Sequence, residues 1–348
     1  MREPPAAMIE SSAAATIADA PPAIRVRAPG RLHLGFLDPS GTLGRRFGSL
    51  GLVIEGFETE VVILSASEDA VVADSPAARV ELDRMVDCLQ RLRERTGRRD
   101  RLALRLRRAL PAHAGFGSGT QLALAVGRAF ALWHGLNIPT ATLAQWLGRG
   151  LRSGVGIAGF DHGGLLVDGG PGIDGAPAPL LARVALPPGW RIVIATDERV
   201  RGLSGLDERA AIAGLPPLPQ AQAAEICHQV LMHVLPGAAE AQFAAFAAGV
   251  NRVQRLLGDH FAPAQSGSRW TSPAVARLMQ WCQASAGDRA AIGQSSWGPT
   301  GFAIVPSAAA ARALIEAAQT AGVIDAALIL RAVAGRNHGA AVDLHWER

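Results

Sequence analysis

The chain has no lysine and no tyrosine, and all 34 of its basic residues are arginine. Without lysine there is no Schiff-base nucleophile, no pyridoxal-phosphate anchor and no P-loop cation, so three large enzyme classes are excluded at once. Cysteine is scarce. Cys88, Cys227 and Cys282 stand far apart with no CxxC pair, which excludes a disulfide framework or a cysteine zinc site and reads as reduced thiols of a cytoplasmic protein. No HxH or HExxH spacing makes the histidines a zinc site. No apolar run approaches the roughly 20 residues of a membrane span. The first twenty residues are rich in Ala, Ser and Pro, but Glu10 and Asp19 break them, so there is no signal-peptide core; residues 1–22 read as a disordered tail. The arginine-rich stretch 91–108 is interrupted by Glu94 and Asp100 and contains no aromatic residue. A solvated helix face followed by a strand edge accounts for it better than a nucleic-acid patch.

What is present fits a two-domain α/β protein: 348 residues, 49% hydrophobic, with a net charge of +4 that suits anionic substrates. Alternation predicts strands at 24–27 and 101–107, and a pair at 49–55 and 59–64 joined at Gly56. Helical spacing predicts helices over 82–95, 122–133 and 142–148. The glycine-dense stretch 150–170 reads as a turn-rich segment with a strand at 164–168. Strands at 184–186 and 191–195 flank Pro187-Pro-Gly189, a junction that divides the chain into domains 23–188 and 189–348. Helices follow at 221–234, 239–257 and 273–284. A second glycine/serine loop at 293–301 leads into strand 302–305, then helix 308–321 and strand 327–333.

Residues 110–125 carry the most chemistry. A strand ends before them and a helix starts within them. Between lie Gly115, Gly117 and Gly119 with the hydroxyls of Ser118 and Thr120. Unpaired N–H groups and the helix dipole make such a turn suited to phosphate, although glycines also serve plain tight connections. Residue chemistry alone therefore reaches a protein that handles a phosphorylated small molecule.

Three segments resemble the GHMP kinase superfamily: Pro29-Gly-Arg-Leu-His-Leu-Gly35, Pro111-Ala-His-Ala-Gly-Phe-Gly-Ser-Gly119, and the loop 293–301. Gly-Phe-Gly-Ser-Gly-Thr-Gln121, Arg152-Ser-Gly-Val-Gly-Ile-Ala-Gly-Phe160 and Ser295-Ser-Trp-Gly-Pro-Thr300 resemble more closely the β-ribofuranosylaminobenzene 5′-phosphate synthase family, which shares that fold without being a kinase. The resemblance implies a two-domain α/β (α+β) fold with its active site in the inter-domain cleft. It also implies decarboxylating phosphoribosyl transfer from 5-phosphoribosyl 1-diphosphate to 4-aminobenzoate or 4-hydroxybenzoate, on the way to methanopterin. Magnesium would accompany the diphosphate donor, with metal ligands unassigned, and ATP is not expected. Two rival readings are an ATP-dependent small-molecule kinase and a non-catalytic regulator that binds a phosphometabolite. Against the kinase, Gly119 stands where the superfamily loop usually has a second serine, and Arg31 stands where the first motif usually has lysine. Partners would be small molecules, with no nucleic acid and no membrane, in a cytoplasmic protein that could pair as a homodimer.

Catalytic expectations fall on Arg31, His33, Arg152, Asp161 and His162. Either arginine can grip phosphate or carboxylate as a bidentate fork, or serve as a structural ion pair. Asp161 could stabilise the ribosyl cation or hold magnesium, or simply cap a turn. The histidines could donate protons to pyrophosphate, or be packed side chains. Phosphate and substrate contacts are expected from His113, Gly115, Gly117, Ser118, Gly119, Thr120, Gln121, Ser153, Ser295, Ser296 and Trp297, the last either stacked on an aromatic acceptor or anchoring its loop. Asp38 could bind ribose or start a turn.

Overall fold

The computed structural model describes residues 23–172, 175–203 and 210–344; the tail expected over 1–22 lies outside the described residues. The N-terminal half runs β1 (Ala23–Asp38), β2 (Phe47–Ser65), β3 (Ala70–Ala73), α1 (Pro76–Arg79), α2 (Leu82–Thr96), β4 (Leu102–Arg108), α3 (Ser118–Trp133), α4 (Thr140–Trp146), α5 (Val155–His162), β5 (Leu165–Asp168) and β6 (Leu180–Val184). The C-terminal half adds β7 (Arg191–Asp197), α6 (Gln220–Gln229), α7 (Leu235–Ala239), α8 (Phe243–Phe261), α9 (Pro273–Ala286), β8 (Ala291–Gln294), β9 (Thr300–Val305), α10 (Ala308–Thr320), β10 (Leu328–Ala334) and β11 (Ala341–Asp343).

One sheet has the order β11-β1-β2-β4-β3, with β5 on β2 and β6 on β5; the other is β10-β7-β9-β8. The two strands expected at 49–55 and 59–64 are one strand. Val61 to Ser65 pair with β4, Ser49 to Leu52 pair with β5, and β1 follows both arms. The expected division at Gly56 does not occur because both arms pair antiparallel with the same neighbour, β1, so the chain at Gly56 bends without reversing. In β1 the register slips between Pro29 and Arg31 and again between His33 and Gly35. These bulges re-aim the side chains around them, and Arg31 and His33 are the two site residues of this strand.

Helices α2 and α3 cover β1, β2 and β4 through Met85, Leu89, Leu92, Val126 and Phe130, all buried. A larger core joins the halves, with Leu32, Leu34 and Leu52 from the first sheet and Ile194, Phe302 and Phe246 from the second half in one cluster. Each such side chain contributes about 1.5–3 kcal/mol on burial. The last strand, β11, crosses back over the 188/189 division to pair with β1. Two expectations need adjusting in the second half. The helix placed at 239–257 runs instead from Phe243 to Phe261, and Ala239 ends the preceding helix α7, with Ala241 at a positive φ of 57° between them. The helix placed at 221–234 widens into a π turn at Val230–Val234, where the Leu235 N–H bonds to the Val230 carbonyl. Pro236 follows directly; it has no N–H to offer the preceding turn, which the wider i→i+5 bonding accommodates.

Candidate active site

The glycine turn delivers helix α3 into a cleft. Gly117 is its N-cap at φ 78°, ψ 27°, and a Cβ there would lie 3.1 Å from Arg31 Cζ. A side chain is thus opposed by both backbone and neighbour. The N–H groups of Thr120 and Gln121 donate back to the Gly117 carbonyl, leaving those of Ser118 and Gly119 with no acceptor inside the helix. Arg31 spans the turn from β1. Its Nη1 donates to the Gly115 carbonyl at 2.7 Å, and its N–H donates to the Phe116 carbonyl.

Two adjoining cavities form the cleft, sharing Arg31, Thr120, Arg149, Arg152 and Ser296 on their walls. The larger has a volume of about 720 Å³ and reaches His33, Phe36, Arg46 and Ser153; the smaller lies over α3's first turn, with Arg84, His113, Gly115, Ser118 and Gly119 on its wall. Ile212 and Ser296 bring in the second half of the chain. Among the described residues no carboxylate lines either cavity. Five arginines (31, 46, 84, 149 and 152) face this space, so its field is strongly positive. Arg149 is largely buried, its Nη1 lies 3.3 Å from the position of a Cβ at Gly119, and its guanidinium makes no hydrogen bond or ion pair with described residues. Burial, then Arg84 and Arg91, lowers its pKa. Arg84 is held at 3.0 Å by Glu81.

His33 stands where the cleft narrows. It is 3% exposed and its Nε2 has no partner among described residues. Burial, reinforced by Arg31 and Arg152, holds its pKa well below 6.5, so the imidazole is neutral. Ser295 locks this corner: it accepts from the His33 N–H at 2.9 Å and donates to the Gly115 carbonyl at 2.7 Å. The second and third motifs touch backbone to backbone, since a Cβ on Gly115 would meet the Ser295 carbonyl at 2.5 Å.

The glycine-dense segment is more ordered than its composition predicts. Residues Val155–His162 form α5, capped by the buried carboxylate of Asp168. Oδ2 of Asp168 accepts from the N–H groups of Gly154 at 2.7 Å and Val155 at 3.0 Å and from Ser153 Oγ at 3.3 Å, while Oδ1 accepts from the Gly170 N–H at 2.8 Å. Burial raises its pKa and these four donors lower it, with burial dominant. This cap fixes the loop that carries Arg152 and Ser153.

Several expected site residues do other work. Asp161 and His162 lie at the far end of α5, about 10 Å along the helix from Gly154. Asp161 accepts from Thr140 Oγ1 at 2.6 Å, His162 is exposed, and neither lines the cleft. Gln121 is fully buried and donates to the Gly156 carbonyl at 2.8 Å, tying α3 to α5 instead of binding substrate. Ser295 is likewise buried between motifs and lines neither cavity. Trp297 packs on Phe261 with ring centroids 4.9 Å apart and only its edge reaches the cleft. Asp38 closes its own turn, accepting from Ser40, Gly41 and Leu43 N–H groups. Arg31, His33, Arg152, His113, Gly115, Gly117, Ser118, Gly119, Thr120, Ser153 and Ser296 do meet around the cleft.

A magnesium ion finds no protein cage among the described residues. Among the described residues no three His, Cys, Asp or Glu side chains are grouped to hold a metal, and the carboxylates of Asp161 and Asp168 are already engaged by donors. The residues missed by sequence reasoning are Arg149, Arg84, Arg46 and Asp168. Arg149 sits three places before Arg152 in the same glycine-rich run and could have been read with it. Arg84 arrives from α2 and has no local signal.

The chain matches the family described as GHMP kinases N terminal domain over residues 83–164 and that described as GHMP kinases C terminal over 237–324. It is 35% identical over 296 residues to the beta-ribofuranosylphenol 5′-phosphate synthase of Archaeoglobus fulgidus, covering 82% of this chain and 88% of that one. The enzyme of the same name from Methanothermobacter thermautotrophicus is 32% identical over 297 residues, covering 80% and 88%. The chain belongs to the beta-ribofuranosylphenol 5′-phosphate synthase family. Among solved structures, homoserine kinase from Cytophaga hutchinsonii superposes with a TM-score of 0.64 at 17% identity over 96% of this chain and 100% of that one. Mevalonate diphosphate decarboxylase from Staphylococcus aureus gives 0.64 at 14% over 94% and 100%. Family members therefore use a GHMP-type two-part fold, and among the described residues no helix is long and apolar enough to cross a membrane.

Proposed function

We propose that the chain joins 5-phosphoribosyl 1-diphosphate to 4-hydroxybenzoate or 4-aminobenzoate, releasing pyrophosphate and carbon dioxide, as a cytoplasmic step towards methanopterin. One observation carries this reading: the helix α3 N-terminus faces Arg84 and Arg149 across Gly119, in a cleft walled by five arginines and, among described residues, by no carboxylate. That arrangement suits departure of a polyanion. Among the described residues it offers no carboxylate to hold the metal that would chelate a transferred phosphoryl group.

The bond from the ribose anomeric carbon to the diphosphate breaks with its electron pair leaving on pyrophosphate. Arginine guanidiniums and the N–H groups of Ser118 and Gly119 stand ready to meet that charge, the preorganised kind of stabilisation that accelerates most. The ribosyl cation is captured by the ring carbon bearing the carboxylate. Loss of carbon dioxide then returns the electron pair of the broken carbon–carboxylate bond to the ring. Arg31 and Arg152 flank neutral His33, so together they can orient a benzoate carboxylate beside the anomeric carbon. Since no carboxylate among the described residues lines the cleft, any magnesium would be carried in by the diphosphate, and ATP has no place in the reaction.

Release of labelled carbon dioxide from carboxyl-labelled 4-hydroxybenzoate, with and without the diphosphate donor and with ATP in parallel, tests this. Release that needs the donor and ignores ATP supports it. ATP consumption with no decarboxylation would restore the kinase.

A further inference from the structure

The larger cavity has two chemically different walls. Its volume, about 720 Å³, is within the size range of small-molecule sites. Arg31, Arg149 and Arg152 line it where it joins the smaller cavity. Away from that junction the rings of His33, Phe36 and Phe47 follow one another on its wall, with centroids 4.6 Å and then 5.4 Å apart. Phe47 is half-buried and stands at φ 72°, a left-handed conformation that is costly for a bulky side chain. Such strain persists only where the surroundings enforce it, and it concentrates at ligand sites. Here the enforcement is visible. A Cβ on Gly170 would collide with the Arg46 carbonyl, so the two backbones touch, and Arg45 Nη2 donates to the Gly170 carbonyl at 2.9 Å. Arg46 lies over the Phe47 ring at 4.9 Å, with its Nε tied to the Pro39 carbonyl at 3.0 Å. The fold thus fixes a strained, half-exposed phenyl ring on the cavity wall.

We propose that this wall seats the aromatic ring of the acceptor and that Phe47 makes the protein select an aromatic over a saturated ring acid. The proposal rests on the function argued above. With the diphosphate over the first turn of α3, the ribose reaches the acceptor through the junction of the two cavities. The reacting ring carbon and its carboxylate then lie at that junction, beside Arg31 and Arg152. From there the ring extends into the larger cavity, along Phe36 towards Phe47. The buried Nε2 of His33, at the start of this row, lacks a partner among described residues, and buried polar atoms ordinarily have one. A bound acid would supply it. Two aromatic rings attract beyond the area they bury, through offset or edge-to-face packing. A saturated ring of similar outline has no π face and forgoes that part. Because Phe47 is already held in place, little ordering is left to oppose the contact when the acid arrives.

Asparagine tolerates the left-handed backbone better than most residues, so Phe47→Asn removes the ring without adding strain. Calorimetric titration of 4-hydroxybenzoate and of its saturated analogue trans-4-hydroxycyclohexanecarboxylate into protein saturated with pyrophosphate reads the wall directly. The wild type should bind the aromatic acid more tightly, by roughly threefold to tenfold. Phe47→Asn should weaken 4-hydroxybenzoate by about tenfold, bring the two acids near parity and leave pyrophosphate affinity unchanged. Phe47→Leu keeps an apolar side chain and should lose the preference as well. A folded Phe47→Asn protein with the wild-type preference overturns the seat. So does one that weakens pyrophosphate as much as the acid, which would make Phe47 a structural residue. A wild type that makes product yet binds both acids equally overturns it too, as does a Phe47→Leu ratio equal to the wild type's; the last comparison decides alone if Phe47→Asn does not fold. Failure of the wild type to bind pyrophosphate or to release carbon dioxide would instead overturn the proposed reaction.

Discussion

Replacing Arg149 with methionine should push stability and activity in opposite directions. Its guanidinium is largely buried against the first turn of α3, without a hydrogen bond or ion pair to described residues, and burial already lowers its pKa. An uncompensated buried cation costs the free protein, and apolar replacement of buried charge often stabilises by about 1–4 kcal/mol. Methionine keeps an apolar stem and removes the fork. Taking the lower part of that range, because Arg84 and Arg91 repel Arg149 only across partly solvated space, Tm should rise by a few degrees. In the complex the sign reverses. The diphosphate would be the missing partner, and losing one member of a buried pair costs about 3–5 kcal/mol, or on the order of a hundred- to several-thousand-fold in kcat/KM if the contact tightens as pyrophosphate leaves. Scanning calorimetry and the carbon dioxide release assay on the same preparation measure both. A variant that loses stability and keeps its activity would refute the reasoning and make Arg149 a structural ion.

Three further outcomes follow from the same geometry. Ser295→Ala strands the buried His33 N–H and loosens the Gly115 carbonyl; it should cost about 1–3 kcal/mol by denaturant titration and lower kcat more than donor KM, whereas unchanged kinetics would free the third motif from positioning the first. Asp161→Asn should leave decarboxylation within about twofold of wild type, because Asp161 pairs with Thr140 outside the cleft and surface changes away from a site act weakly; a loss of a hundredfold would return Asp161 to catalysis. His33, His134 and His260 all have folded pKa values lowered from 6.5, chiefly by burial. The unfolded chain therefore takes up protons first on acidification, so the stability these groups contribute is present above pH 6.5 and lost as pH falls below it, with His33 contributing at most about 1.4 kcal/mol per pH unit. His33→Gln should flatten that acid limb by one group's share, and coincident stability curves for variant and wild type between pH 6.5 and 5 would contradict a neutral buried His33.

The glycine turn at the start of α3 was legible because its signal is local. Glycines, hydroxyls and a helix start fall within ten residues, and the structure puts Gly115 and Gly117 to Thr120 on the wall of the smaller cavity. Helix α5 was hidden for two reasons. Its glycines read as turn formers, and Val155 to Phe160 are all buried, so no amphipathic period marks them. Missing the helix also exchanged two carboxylates. Asp161 looked chemical beside His162, yet it points along the far end, while Asp168, which read as the end of a strand, caps the end that faces the cleft. Ser295 misled in a similar way: a hydroxyl in a glycine loop is as useful for closing two backbones together as for holding a ligand, and only the tertiary contact separates the two uses.

The absence of lysine acquires its meaning from the cleft. A lysine at the depth of Arg149 would shed its proton readily, because burial lowers an ammonium whose pKa starts near 10.4. A guanidinium starts high enough to remain charged under the same burial. Arg84 and Arg149 approach Gly119 from α2 and the segment after α4, while Arg31 and Arg152 approach the same α3 terminus from β1 and the loop before α5. Planar forks arriving from several elements can grip adjacent phosphates in pairs, with backbone N–H groups completing the shell. A serine at the position of Gly119, where the superfamily loop usually has one, would set its Cβ 3.3 Å from Arg149 Nη1 and its hydroxyl beside that fork, competing with the anion for it. Gly119 and the arginines are thus parts of one device, and neither makes chemical sense in this cleft without the other.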